Sequence, residues 1–89
     1  MLIQEFELDD ANLQHLSERG IGPPDLDAML GARMTVFRNK RSGSGAYKFI
    51  GRGLGGRPFT IVVTGTSTAG RWRPITGWES TDAEQKAAK

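Results

Sequence analysis

From Thr35 onward the chain reads as four runs of β-type residues parted by short turn segments, and connections that short favour an antiparallel meander. The runs are Thr35 to Asn39, Ala46 to Gly53, Pro58 to Ser67 and Arg71 to Glu79. Lys40-Arg41-Ser42-Gly43-Ser44-Gly45 reads as a flexible basic loop, Gly55-Gly56 as a hairpin signal and Ser67-Thr68-Ala69-Gly70 as the third turn. Side chains alternate along a strand, so Phe59, Ile61 and Val63 form one row that suits a core. A two-residue turn at Gly55-Gly56 would set Lys48, Ile50 and Arg52 on that row; a three-residue turn would set Tyr47 and Phe49 there instead. The second register is preferred, because it buries aromatics and leaves Lys48 and Arg52 outward.

Ahead of the strands the period changes. Asp9 and Asp10 can cap a helix through Ala11 to Arg19, with Leu13 and Leu16 on one face and Gly20 as its left-handed stop. Pro23-Pro24 suits the first turn of a second helix, whose stripe is Leu26, Met29 and Leu30 before Gly31. After the strands, Thr81-Asp82-Ala83-Glu84 has the spacing of a capping box and opens a short last helix. The expectation is an α+β fold of one domain spanning residues 1–89. Two N-terminal helices pack on a three- to four-stranded antiparallel meander, and a short C-terminal helix follows.

Composition narrows the chemistry. A chain of 89 residues buries only ~60 to 65% of its unfolded surface, too little to enclose a large cofactor. The absence of cysteine rules out disulfides and thiolate metal sites, and one histidine builds no imidazole cluster, so neither a cofactor nor a metal is expected. No signal-peptide pattern and no apolar run of ~20 residues is seen, giving an expectation of a cytoplasmic protein with no membrane partner. Charge is sharply segregated beneath a net +2: residues 1–32 carry seven acids and one base, residues 33–78 nine bases and no acid. That pattern suits a polyanion such as RNA, although compensation within the fold is an alternative.

Paired catalytic carboxylates, nucleophile triads and phosphate-binding glycine loops are missing, and Gly51-Arg52-Gly53-Leu54-Gly55-Gly56 fits an ordinary hairpin better than a phosphate loop. What remains is cations interleaved with aromatics: Arg38, Lys40, Arg41, Tyr47, Lys48, Arg52, Arg57, Arg71, Trp72, Arg73 and Trp78. Guanidinium groups grip phosphates and steady a phosphorane, and exposed rings stack on splayed bases. RNA cleavage by its own 2′-hydroxyl needs only proton transfer and charge stabilisation, for which a lysine, tyrosine or arginine can serve. Core packing is an equal reading for Tyr47, Trp72 and Trp78. Histidine is the residue type whose unperturbed side chain changes charge near neutrality, so His15 is a candidate acid-base group, with packing or exposure on the helix surface as its alternative.

Several stretches resemble the BrnT family of type II toxins, ribonucleases with a RelE-like fold. They are Asn12-Leu13-Gln14-His15-Leu16 with Gly20-Ile21, Gly51-Arg52, Gly56-Arg57, Ile61-Val62-Val63, Arg73-Pro74-Ile75-Thr76 and Glu84. The resemblance implies a metal-independent ribonuclease toxin silenced by a cognate antitoxin, typically a ribbon-helix-helix DNA-binding protein, in a hetero-oligomer. Arg52, Arg57 and Arg73 fall at basic positions of the pattern and His15 at its histidine position. Where the family usually continues with Arg or Lys, this chain has Gly77-Trp78-Glu79. The expected catalytic group is Arg73 and Arg52 with Lys48 and Tyr47, and Arg38, Lys40, Arg41, Arg57, Arg71 and Trp72 are expected to bind nucleic acid. The same fold also suits a toxin that binds without cleaving, as in gyrase-poisoning relatives of RelE, or a nucleic-acid-binding accessory domain.

Overall fold

In the computed structural model, which describes residues 1–40 and 46–88, the four expected strands are present and consecutive. They are β2 (Thr35–Arg38), β3 (Tyr47–Arg52), β4 (Pro58–Gly65) and β5 (Arg71–Glu79), each antiparallel to the next. Residues 41–45, in the expected basic loop, lie outside the described residues, and Arg41 with them.

The meander is not the whole sheet. A fifth strand, β1 (Glu5–Phe6), lies parallel to β5 and makes the order β1-β5-β4-β3-β2. It is held by Gln4 and Glu5 amides donating to the Gly70 carbonyl and by the Glu7 amide donating to Trp72. The expected purely antiparallel sheet is therefore corrected to a mixed one. Two residues are too few to show a strand period, and a parallel partner far along the chain leaves no turn signal between them.

Helices α1 (Asp10–Ser17) and α2 (Pro23–Leu30) cover one face. Asp9 caps α1 by accepting from the Asn12 amide at 2.8 Å, while Asn12 accepts from the Asp9 amide at 2.9 Å. Gly20 takes the left-handed conformation, φ 77°, that lets the chain turn sharply between the helices. Leu16, Ile21, Leu26 and Met29 pack against Phe6, Phe49, Phe59, Ile61 and Val63 to form the core.

Tyr47 lies opposite Val63 and Phe49 opposite Ile61, the register of the three-residue turn, closed by the Gly53 amide donating to Arg57 at 2.8 Å. Phe49 is fully buried, and burial of such a ring is worth ~1.5 to 3 kcal/mol. Proline has no amide to pair, and the β4–β5 ladder slips beside Pro74: Val62 faces Thr76 but Val63 faces Pro74, leaving Ile75 as the extra residue of a bulge.

The opposite face carries Thr35, Phe37, Lys48, Ile50, Thr60 and Trp78. Helix α3 (Asp82–Ala87) lies on it, with Thr81 as its cap. Its end is tied to the sheet by the Thr35 hydroxyl donating to the Ala88 carbonyl at 3.1 Å. Among the described residues no helix is long and apolar enough to cross a membrane.

A candidate nucleic-acid groove beside the C-terminal helix

Folding pairs much of the segregated charge internally. Arg73 forms ion pairs with Glu7 and Asp9, Arg71 with Glu5 and Glu7, and Arg57 with Glu79. The acids at the N-terminal edge thus neutralise the start of β5, because β1 lies beside it. Arg57 is further occupied by the Phe59 ring, whose centroid lies 5.2 Å from the guanidinium carbon.

Asp9 shows the effect in its titration. The Asn12 amide and then Arg73 hold its carboxyl below the ordinary value of 3.8. A carboxyl depressed on folding contributes stability that is complete above its unfolded value and lost as pH falls through the folded one. Asparagine caps a helix as well as aspartate does. Asp9→Asn should therefore flatten the acid side of the melting-temperature profile below about pH 4, and parallel profiles for the two proteins would contradict this.

Two other expected site residues are built into packing. Tyr47 and Trp72 meet edge to face at 5.5 Å, Trp72 and Phe49 do the same at 5.4 Å, and the Trp72 indole donates to the Leu2 carbonyl at 3.0 Å. Both belong to the margin of the core. His15 Nε2 lies 2.9 Å from the Thr76 hydroxyl and joins α1 to β5. Buried Asn12, which stood in the sequence without an assigned role, donates to the Glu7 carbonyl at 2.9 Å as well as closing the α1 cap.

The remaining cations gather elsewhere. Arg38, Lys40 and Lys48 line a cavity of 620 Å³ together with Phe37, Ile50, Trp78 and Glu84, between the β2–β3 hairpin and α3. Lys48 lies directly opposite Phe37 in the sheet. Among the described residues these three cations enter no ion pair, unlike Arg57, Arg71 and Arg73. The volume falls within the ~300 to 1,000 Å³ of ligand sites.

Trp78 both lines this groove and holds its wall. Its indole donates to Glu84 Oε1 at 2.9 Å, and the Thr81 amide donates to the same oxygen at 2.8 Å. Partial burial pushes the Glu84 carboxyl up, but the bonds from the Thr81 amide, Trp78, Thr60 and the Thr81 side chain outweigh it and leave the group below its ordinary 4.5. Glu84 is thus a fixed anion whose lone pairs are partly spoken for. The Gly77-Trp78-Glu79 segment supplies an aromatic wall and an anchor for α3 where the toxin pattern has cations.

Arg52 lies on the same face as Lys48, with one guanidinium nitrogen donating to the Gly56 carbonyl at 3.0 Å. It lines a separate cavity. The structure therefore brings Arg38, Lys40 and Lys48 together, sets Arg52 nearby, and leaves Arg73, Arg71, Arg57, Tyr47, Trp72 and His15 in other contacts. Phe37 and Glu84 complete the groove. Glu84 was visible only as a capping-box residue and a point of resemblance, and Phe37 carried no signal beyond its place in a strand.

No family model matches this chain, and neither the curated proteins nor the solved structures provide a match.

Proposed function

We propose that this domain grips single-stranded RNA in the groove between the β2–β3 hairpin and α3, as a toxin of the BrnT-like kind kept in check by an antitoxin. The observation that supports the reading is the meeting of Arg38, Lys40 and Lys48, free of ion pairs among the described residues, with the rings of Phe37 and Trp78 in one cavity. Cations on the phosphates and rings against the bases are the two elements that single-strand recognition requires.

In the metal-independent cleavage that the resemblance implies, Glu84 accepts the 2′-hydroxyl proton as the 2′-oxygen bonds to phosphorus, and Lys48 and Arg38 place positive charge against the phosphorane. The P–O5′ bond then breaks to leave a 2′,3′-cyclic phosphate and a 5′-hydroxyl whose oxygen takes its proton from the Lys48 ammonium. Binding without cleavage is the second reading. It is favoured by the depressed Glu84 carboxyl, a weak base, and by the engagement of Arg73, Tyr47 and His15 outside the groove.

Induced expression of the wild type and Lys48→Gln in a bacterial host, with growth and total RNA followed together, separates the two. Arrest with RNA decay in the wild type alone supports cleavage at the groove, and arrest with intact RNA supports a binding toxin. Normal growth would overturn the toxin reading. In vitro, affinity for RNA should fall steeply between low and physiological salt, since phosphate contacts release counterions. Salt-independent binding would overturn the electrostatic basis of the groove.

A further inference from the structure

Arg33, a residue without any assigned role, lines the second cavity with Arg52. The space measures 150 Å³ and is bounded also by Thr35, Ile50, Pro58, Gln85 and Ala88. Among the described residues no aromatic side chain borders it, so it offers no stacking surface for a base there. It does offer two guanidinium groups, neither in an ion pair among the described residues. Arg52 spends one nitrogen on the Gly56 carbonyl and keeps its other donors, while Arg33 is exposed and makes no hydrogen bond within the described residues. The polar neighbours are already turned inward, Thr35 donating to Ala88 and Gln85 donating to the Ser80 carbonyl at 3.1 Å. The two arginines thus dominate the chemistry of the cavity, which is that of a phosphate group.

The relation between the two cavities gives this placement its meaning. Ile50 lines both. At the end of α3, Glu84 and Ala87 border the larger cavity, and Gln85 and the capping residue Ala88 border the smaller, so the two cavities lie against neighbouring positions of the same chain end. Of these four, Ala87 and Ala88 carry only methyl groups and give a polynucleotide backbone its lowest path between the cavities.

Building on the proposed RNA groove, we infer that Arg33 and Arg52 form a second phosphate subsite, which takes a phosphodiester of the same RNA strand after it passes over the end of α3. The subsite serves length: a strand that ends within the main groove does not reach it, and a longer one does. Arg33 belongs to the grip on the longer strand and not to the groove itself.

The test compares a uridine trinucleotide with a decanucleotide, titrated into wild type, Arg33→Gln and Arg33→Lys at low salt, with melting temperatures as a control for folding. Arg33→Gln should weaken the decanucleotide about tenfold and lower its salt slope by about one. Trinucleotide affinity should not change, and Arg33→Lys should restore most of the loss. If the wild type binds both RNAs and Arg33→Gln weakens neither, or weakens both equally, the subsite is overturned while the groove stands. If the wild type binds neither RNA, the groove reading falls and the subsite with it.

Discussion

Reversing the charge of Arg38 and Lys48 together, by Arg38→Glu and Lys48→Glu, should lower affinity for single-stranded RNA by roughly 100-fold or more at low salt. A hydrogen bond to a charged group is worth ~1.5 to 3 kcal/mol, so two phosphate contacts account for about two decades before the added repulsion. The slope of log affinity against log salt should also fall by about two, one for each lost contact. Arg38 is exposed and Lys48 only half-buried, and neither is in an ion pair among the described residues, so the fold should survive both changes. The same reversal at Arg57, which already faces Glu79 and Phe59, should cost far less RNA affinity. Equal losses at the two places would mean that net charge alone governs binding, without a groove.

The largest expected loss of stability comes from Gly77→Val. Gly77 lies opposite Ile61 where α1 presses on the sheet. A β-carbon there would stand 2.8 Å from Ile61 Cδ1 and 3.1 Å from both Leu16 Cδ2 and the Thr60 carbonyl oxygen. Leu16 and Ile61 are fully buried and the third neighbour is backbone of the adjacent strand, so relief requires both side chains to leave their positions and α1 and the β4–β5 pairing to shift. Overpacking of this sort costs about 3 kcal/mol, a large part of the ~5 to 15 kcal/mol that holds a domain together. The melting temperature should drop by roughly 15 °C, which thermal denaturation would register. A change of a degree or two would show that α1 has slack at this point.

That glycine also explains part of what the sequence could convey. The two helices, their stops at Gly20 and Gly31, and the four strands were legible because each rests on local signals: a cap, a proline pair, alternating side chains, a turn. The register of β3 on β4 was legible as well, since only one of the two choices buried Tyr47 and Phe49. Beyond local signals the reading failed. Strand β1 escaped because Phe6 gives no period of its own, and with it escaped the pairing of Glu5, Glu7 and Asp9 to Arg71 and Arg73. Along the chain those five residues look like separate blocks of opposite charge, and only the parallel contact of β1 with β5 turns them into ion pairs. The groove was half visible. Lys48 and Arg38 were named among its cations, but their meeting with Trp78 depends on where α3 lies. A capping box shows where a helix begins and says nothing about the surface it covers.

The measurement that bears most directly on the RNA groove is a titration of the isotope-labelled wild-type protein with single-stranded RNA, followed through backbone amide and tryptophan indole NMR signals. A domain of 9.7 kDa suits the method. Saturable shifts concentrated at Phe37, Arg38, Lys40, Lys48, Trp78 and Glu84, with the Trp72 indole and the amides of Asp9 and His15 unmoved, are the predicted result. Shifts centred on Arg71, Trp72 and Arg73, or none at any RNA concentration, would contradict the assignment of the groove.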